Sequence, residues 1–170
     1  MSRLVAAGAV LFLVAAAFVA GGAVAPAYVS HYADGAYGFS FQPPAFAPSD
    51  RGSVMPVMLS GSPENGFSSN VNVMIQNGAT TRAAYRKQTL DGMNALGLKV
   101  VSDKDLTVSG KDATLMHLEG AQQGRNLQYL LLSVIDAGRV YVVTCTATKE
   151  AYPAMEAKFQ ASLDSFALAR

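Results

Sequence analysis

The chain has 170 residues, with 13 Lys or Arg, 12 Asp or Glu and a single cysteine. This length allows one domain of ordinary size, and a lone cysteine excludes an intramolecular disulfide. Nucleic-acid binding requires a basic surface that neutralises phosphates, and the balanced charge of this chain does not provide one. The chain also lacks a polybasic segment that could bind anionic lipid. We therefore expect no nucleic-acid partner and a fold that rests on its hydrophobic core.

The N-terminal region has the layout of a secretory signal peptide. Arg3 forms a minimal positive start, no charged residue occurs in 4–29, and the run closes with the small residues of "GGAVAPAY". Ala25 and Ala27 satisfy the small-x-small requirement of the signal peptidase. The pattern predicts a signal peptide over residues 1–27, cleaved after Ala27.

An uncleaved membrane anchor over residues 4–25 is the alternative, because about 20 apolar residues suffice to cross a bilayer. In that case the membrane is contacted only through this segment. Both readings export the rest of the chain to the periplasm or the extracellular space. Residues 28–36 are predicted to form a polar connector, and residues 37–168 the folded domain.

Three strands are predicted in the first half of that domain. The segment "YGFSF" (37–41) alternates aromatic and small residues, which is typical of a half-buried strand, and prolines end it. The segment "VMPVMLS" (54–60) is a second strand, and Pro56 places it at a sheet edge or at a bulge. The third is "SNVNVMIQ" (69–76). Its alternation defines two faces, one with Val71, Val73 and Ile75 and the other with Asn70, Asn72 and Met74.

A helix is predicted next over "RAAYRKQTLDGMNAL" (82–96). Thr80 or Thr81 can cap its first turn by accepting a hydrogen bond from a free amide, and Gly97 is a natural terminator. Four strand candidates follow with a glycine at each break, a spacing that favours an antiparallel meander. The stripe of the helix that faces the core comprises Tyr85, Thr89, Leu90, Met93 and Leu96. The four strands cover residues 99–109, 112–121, 126–136 and 140–148.

A final helix starts at about Ala151, with Pro153 in its first turn, where the missing amide costs nothing. The order of strands, helix, four strands and helix predicts an α+β fold, layered as an α/β/α sandwich. We expect a central antiparallel sheet of about six to seven strands with the helices packed against it. The apolar residues of the last helix recur at helical spacing and are Tyr152, Met155, Phe159, Leu163 and Phe166.

Cys145 is predicted to fill the core rather than to act as a nucleophile or a metal ligand. In "VYVVTCTAT" it shares one side of the strand with Tyr141, Val143 and Ala147, and the other side is largely apolar as well. Such a strand is central in a sheet, and a cysteine there behaves as a small hydrophobic residue. A reactive thiol needs an electropositive, partly exposed setting, which no sequence neighbour supplies.

The two histidines do not make a metal site. Zinc needs three or four ligands from Cys, His or carboxylate, and His31 and His117 are far apart in the sequence. His31 is expected in solvent. His117 is expected on the solvent-facing side of a strand, with a role in orienting a carboxylate or binding a ligand as the alternative.

The chain shows no familiar catalytic or nucleotide-binding motif, although its many serines leave a Ser-His-Asp triad open. The chain lacks the G-x-S-x-G elbow, the P-loop, a dinucleotide-binding glycine pattern and the acidic spacing of an EF-hand. The carboxylate pairs, Asp103 with Asp105 and Glu119 near Asp112, are expected on solvated strand edges. We predict no catalytic residue, no cofactor and no metal site, and we leave ligand-binding residues unassigned.

Six aromatic residues follow the leader closely, and most of them are expected in the core. Some of them could instead line an apolar groove near the loops, which would be a binding site. The sequence leaves both roles open. The six are Tyr28, Tyr32, Tyr37, Phe39, Phe41 and Phe46.

Three segments carry a family resemblance: "DGAYGFSFQPPAF", "FSSNVNVMIQ" with Asn70 and Asn72, and "GRVYVVTCTATKEAYPAMEAKFQASLDSF". From about Tyr32 to Leu168 the chain resembles the PsbP-like proteins, which include the PsbP accessory protein of the oxygen-evolving complex and bacterial periplasmic DcrB-type proteins. The resemblance implies a central antiparallel sheet crossed by helices and a mostly non-enzymatic protein that binds partners through its surface.

The chain departs from this family at two points. Many relatives place a tryptophan after the prolines, where this chain has Phe46 and no tryptophan at all. The charged positions by which PsbP docks to a photosystem have no evident counterpart, so the exported bacterial branch is the better comparison. The expected function is an exported, non-catalytic module that binds a protein partner in the cell envelope. The alternative is a carrier of a small lipid or metabolite, with an apolar pocket between sheet and helix.

Overall fold

Seven strands form one antiparallel sheet with a helix on each face. The computed structural model describes residues 28–48, 57–78 and 81–169, so the leader predicted over residues 1–27 and the predicted strand position of Pro56 lie outside the described residues. In spatial order the strands are β3 (Ala47–Pro48), β4 (Val57–Ser60), β5 (Asn70–Asn77), β9 (Arg139–Thr148), β8 (Arg125–Asp136), β7 (Lys111–Gln122) and β6 (Lys99–Val108).

Two helices and a small second sheet complete the domain. Helix α1 (Arg82–Ala95) begins at Thr81, whose hydroxyl accepts a hydrogen bond from the Ala84 amide at 3.2 Å, so the predicted cap is confirmed. Helix α2 (Tyr152–Asp164) carries Pro153 in its first turn, as predicted. The small sheet consists of β1 (Tyr32–Asp34), β2 (Phe39–Phe41) and β10 (Ala167–Leu168), with β2 in the middle.

The meander from β6 to β9 is built by three two-residue turns. Both residues of each turn have a positive φ, between 45° and 50° at the first position and between 75° and 79° at the glycine. This is the type I′ geometry, whose twist matches that of antiparallel strands. The predicted glycine breaks are therefore confirmed at Ser109–Gly110, Gln123–Gly124 and Ala137–Gly138.

The predicted stripe of α1 is correct except at its C-terminal end. Tyr85, Thr89 and Met93 are buried, but the side chain of Leu96 is 50 % exposed. The helix ends before Leu96, and Gly97 turns the chain with a φ of +70°. Leu98 then enters the core in place of Leu96, because the turn redirects the chain toward the sheet.

The predicted edge position or bulge of the second strand rests on Pro56, which lies outside the described residues, so it stays a prediction. In the described part of this strand, β3 pairs with β4 on one side and β5 pairs with it on the other. The two-residue β3 reaches Leu59 and Ser60 alone, and among the described residues Val57 and Met58 pair with β5 only. Sequence could not detect β3, since two residues carry no periodicity.

Each face of the large sheet has its own hydrophobic cluster. The cluster under α2 contains Val71, Val73 and Cys145 together with the aromatic residues of the small sheet. The cluster under α1 contains Met74, Tyr129 and other residues of β7 and β8. The predicted α+β fold, with a central antiparallel sheet of six to seven strands and helices packed against it, is confirmed. Over the described ranges, neither helix has the length and hydropathy needed to cross a bilayer.

Candidate binding groove

A groove with an apolar floor lies where the start of the described chain meets the first turn of α2. It encloses about 370 Å³ and is half open to solvent. We call it the N-terminal groove. Its apolar lining comprises Tyr28, Ala45, Phe46, Ala151, Ala154 and Met155, and its polar lining comprises Ser62, Glu64, Ser69 and Lys158.

Close backbone approach fixes the floor of the groove. The Val29 amide donates a hydrogen bond to the Phe46 carbonyl at 2.8 Å, which ties the N-terminal segment to the chain before β3. Gly61 lies directly beside the Phe46 ring, and a Cβ atom on it would come within 2.8 Å of that ring. Only glycine therefore lets the loop after β4 pack against Phe46.

The α2 wall of the groove is held from both ends. The Ala151 amide donates to the Thr148 hydroxyl at 3.2 Å, which fixes the start of the helix to the end of β9. Phe46 contacts Phe159 edge to face, with 6.5 Å between ring centroids. The floor of the groove is therefore continuous with the core.

The chemistry of the groove suits an apolar side chain flanked by polar groups. Tyr28 is 58 % exposed, whereas Phe46 is 6 % exposed and forms the floor. Glu64 and Lys158 add one negative and one positive charge to the lining. Exposed aromatic residues beside a small apolar depression are typical of sites that anchor a partner side chain.

The aromatic residues predicted behind the leader divide between core and surface. Phe39, Phe41 and Phe46 are buried and belong to the cluster under α2. Tyr28 and Tyr37 are exposed, at 58 % and 41 %. The core role is therefore confirmed for the three phenylalanines, whereas Tyr28 and Phe46 line a groove whose role in binding stays a prediction.

Cys145 lies where the sequence placed it. It is fully buried on β9, the middle strand of the seven, and faces the α2 cluster with Tyr141, Val143 and Ala147. Burial raises the pKa of its thiol well above the ordinary value, which suppresses the nucleophilic thiolate. Its interpretation as core filling is confirmed.

His117 is not on a solvent-facing side, contrary to the prediction. It lies on the α2 face of β7, where its ring stacks on Tyr152 with 4.9 Å between centroids, and its Nε2 atom is 3.0 Å from the Gln128 side-chain oxygen. The sequence missed this because helix α2, which supplies the covering ring, is distant along the chain. Burial raises the pKa of Tyr152 to about 12, with smaller contributions from Glu156 and Cys145. His31 is exposed, as expected.

The predicted carboxylates lie on or near the edge strand β6, but cations hold them. The Arg86 guanidinium contacts Asp103 at 2.6 Å and Asp105 at 3.2 Å. Arg82 reaches Asp105 and Asp112, each at 3.5 Å. These pairs fasten α1 to the sheet, a role that requires two elements distant in sequence and was not predicted.

Glu119 likewise has a cationic partner, since the Lys99 ammonium lies 3.0 Å from its carboxylate across the β6–β7 pair. The hydrogen bond and charge of Lys99 lower the pKa of Glu119. In the part of the chain that the structure describes, no three residues among His, Cys, Asp and Glu come together to hold a metal ion.

A second depression lies between α2 and the sheet, where the alternative interpretation expected an apolar pocket. It encloses about 230 Å³ beside Leu115, Leu163 and Phe166, with Gln160 and Asp164 at its mouth. Pockets for small organic ligands usually span about 300 to 1,000 Å³. This crevice is therefore below the usual range.

Sequence reasoning missed most of the groove. Met155 was expected only as a core residue, and the loop at 61–69 and Lys158 were not singled out. The one usable signal was the aromatic crowding that includes Tyr28 and Phe46. The other lining residues become recognisable only when three separate segments meet.

Comparison with known structures places the fold. No protein-family model matches the sequence, and neither does any curated protein sequence. Among 25 solved chains that match, cyanobacterial PsbP (CyanoP) from Synechocystis sp. PCC 6803 gives a TM-score of 0.60 at 15 % identity, covering 88 % of this chain and 98 % of that one.

Two further structures are similar. PA94, a protein of unknown function from Pseudomonas aeruginosa, gives a TM-score of 0.60 at 15 % identity and covers 81 % of this chain and 95 % of its own. LpqN of Mycobacterium tuberculosis is described as involved in cell envelope biogenesis. It gives a TM-score of 0.58 at 11 % identity, and the match covers 78 % of this chain and 83 % of LpqN. The chain therefore has a PsbP-like fold.

Proposed function

We propose that the protein is an exported, non-catalytic PsbP-like module that binds a protein partner in the cell envelope through the N-terminal groove. The groove is the observation that carries the proposal, because it joins an exposed aromatic side chain to a preformed apolar floor. An apolar side chain of the partner would occupy the floor beside Phe46 and Met155. Glu64 and Lys158 would pair with polar groups around it.

The placement of the reactive side chains supports a binding role rather than catalysis. Cys145 is buried, His117 is stacked on Tyr152, and the Asp103 carboxylate is held by Arg86. A general acid or base must come within hydrogen-bond distance of its substrate. Each of these three groups is instead buried or in contact with a different protein side chain, so they do not meet at one site. Export rests on the predicted leader, and N-terminal sequencing of the exported protein distinguishes cleavage after Ala27 from a retained anchor.

The test is recovery of partners from a cell-envelope extract with the full chain as bait. Met155→Glu places a charge on the groove floor and should reduce recovery of the partner at least tenfold. Tyr37→Ala is the matched control, because Tyr37 is exposed outside the groove and its hydrogen bonds with Asp34 and Tyr141 use only its backbone. Equal recovery by wild type and Met155→Glu, or no protein enriched above background, would contradict the proposal.

A carrier of a small ligand is the second candidate, favoured by the crevice between α2 and the sheet. The volume of about 230 Å³ restricts the ligand to a small apolar group or part of an acyl chain. Native mass spectrometry of the purified protein checks this candidate. A co-purifying mass that disappears in Leu163→Trp, which would fill the crevice, would support it.

A further inference from the structure

Polar side chains occupy one face of three neighbouring strands where the opposite face is apolar. On the α1 face, Asn70 lies opposite Ser60 on β4 and Thr146 on β9. Asn72 lies opposite Met58 and Thr144 in the next row. All six side chains are buried and uncharged, and five of them are polar, Met58 being the exception. They form the patch that we call the asparagine patch.

Several polar atoms of the asparagine patch have no hydrogen-bond partner among the described residues. Both the oxygen and the nitrogen of the Asn72 amide are buried and unpaired. The Asn70 nitrogen donates to the Ser68 carbonyl at 3.2 Å, but the Asn70 oxygen is unpaired. The hydroxyls of Ser60 and Ser68 are buried and unpaired as well.

Contacts with the described residues give no reason for this choice of residues. A buried polar group without a partner is less favourable than an apolar group of the same shape. The same strand, β5, accommodates Val71 and Val73 on its other face, so the backbone does not require polar residues here. A group retained at a cost to stability is typical of a binding site.

We propose that Asn72, with Asn70 and Ser60 beside it, forms a binding site for an uncharged ligand that carries an amide group. A carboxamide presents a donor and an acceptor side by side, and the complementary arrangement is found in another amide. The ligand's oxygen would accept from the Asn72 nitrogen and its N–H would donate to the Asn72 oxygen. The Asn70 oxygen and the Ser60 hydroxyl would take further hydrogen bonds. A charged ligand is disfavoured, because none of the patch residues could neutralise a buried charge.

Access to the asparagine patch requires a movement, since its polar atoms are covered. The loop at 61–69 carries Ser68, whose carbonyl takes the Asn70 hydrogen bond. The Arg125 guanidinium donates to the Asn65 carbonyl at the tip of this loop at 2.9 Å, and Phe67 anchors it in the core. Displacement of this loop would free the Asn70 nitrogen and open the patch to the ligand.

The first experiment follows the side-chain NH₂ signals of Asn70 and Asn72 by NMR in the full domain. Acetamide and N-methylacetamide are the probes, the first a primary amide and the second a mimic of the peptide bond. We expect a saturable shift of the Asn72 signal with at least one probe. Saturation by acetamide alone indicates a free carboxamide ligand, and saturation by both indicates a peptide backbone. A shift that stays linear with probe concentration would overturn the proposal.

The second experiment compares Asn72→Leu with Asn70→Leu by thermal unfolding. The Asn72 side chain makes no hydrogen bond to the described residues, so Asn72→Leu should keep or raise the melting temperature while weakening probe binding at least tenfold. Asn70→Leu loses the bond to the Ser68 carbonyl and should lower the melting temperature. A lower melting temperature for Asn72→Leu would show that Asn72 is structural and would overturn the proposal. The loop at 61–69 also lines the N-terminal groove, so partner recovery is measured separately, and its outcome does not decide this test.

Discussion

The two faces of the central sheet use the same strands for opposite chemistry. Both faces are buried, so exposure to water does not explain the difference. On the α2 face, β5 and β9 present Val71, Val73, Val143 and Cys145. On the α1 face, the same two strands present Asn70, Asn72, Thr144 and Thr146.

This difference indicates that the α2 face serves packing, whereas part of the α1 face carries polar groups beyond what packing needs. The α2 face is apolar over most of its width, apart from His117 and Gln128, and supports both helix α2 and the small sheet. The α1 face is apolar over β7 and β8, where Leu118, Tyr129 and Leu131 lie under α1, and at one end of β5 and β9, where it presents Met74, Val140 and Val142. Its remaining part, over β4, β5 and β9, holds hydrogen-bonding groups that packing does not require.

A paired substitution on β9 gives the strongest test of this contrast. Val143→Asn loses about 2 kcal/mol of apolar burial and adds about 2 kcal/mol for an unpaired amide, so the free energy of unfolding should fall by about 4 kcal/mol. Val143 is fully buried on the α2 face. Urea unfolding followed by circular dichroism measures the change.

The matched control is Thr144→Val, at the neighbouring position on the α1 face. Because it removes a hydroxyl and keeps the shape, the free energy of unfolding should change by less than about 1 kcal/mol. If Val143→Asn were tolerated as well as Thr144→Val, the two faces would not differ in their demand for apolar residues.

Alkaline pH should act on the tyrosines that are buried on the α1 face. Burial raises the pKa of Tyr85 and of Tyr129 to about 12, from an ordinary value of 10.0. Above pH 10 the unfolded chain loses these protons while the folded chain keeps them, so unfolding releases protons. The stabilising contribution is complete below pH 10 and is lost as the pH rises through about 12. The slope is at most about 1.4 kcal/mol per pH unit for each tyrosine.

Unfolding in urea at pH 9, 10 and 11 measures this slope. Tyr129→Phe removes one ionisable hydroxyl, so the free energy of unfolding should depend less steeply on pH than in the wild type. A slope between pH 10 and 11 that is identical in wild type and Tyr129→Phe would show that the Tyr129 hydroxyl ionises alike in both states.

The smallest effect is expected where charge, not apolar contact, attaches a helix to the sheet. Arg86→Ala removes the cation between the half-buried Asp103 and the exposed Asp105 and should lower the free energy of unfolding by about 1 kcal/mol, the upper end of the range for ion pairs near the surface. The loss should shrink in 1 M NaCl as screening weakens the pairs.

Lys87→Ala is the control for that variant. Its partner Asp91 lies on the same helix, and both side chains are well exposed, so the change should cost only about 0.3 kcal/mol. Losses of equal size for Arg86→Ala and Lys87→Ala would show that the link from α1 to β6 adds nothing beyond helix stability.

Local signals in the sequence predicted most elements correctly. Thr81 caps α1 through a contact three residues away, and Gly97 ends the helix through its own backbone angle. The alternation of β5 correctly assigned Val71 and Asn72 to opposite faces. These features depend on residues only a few positions apart, so they are readable without knowing the fold.

The errors arose where an element's surroundings come from elsewhere in the chain. Leu96 continued the apolar spacing of α1 but is exposed, because the helix stops one residue earlier. His117 was expected in solvent but is covered by Tyr152 of α2. The sequence pattern of a strand shows its two sides and does not show what packs on each.

The sequence by itself determined the strand alternation, the turns, the caps and the burial of Cys145, since each follows from periodicity or backbone geometry over a few residues. Only the tertiary structure decided that Tyr28, the loop at 61–69 and Met155 form one groove. It also decided that Asn72 faces a buried surface that offers it no hydrogen-bond partner among the described residues. Contacts between distant segments depend on how the layers pack, and no local pattern encodes them.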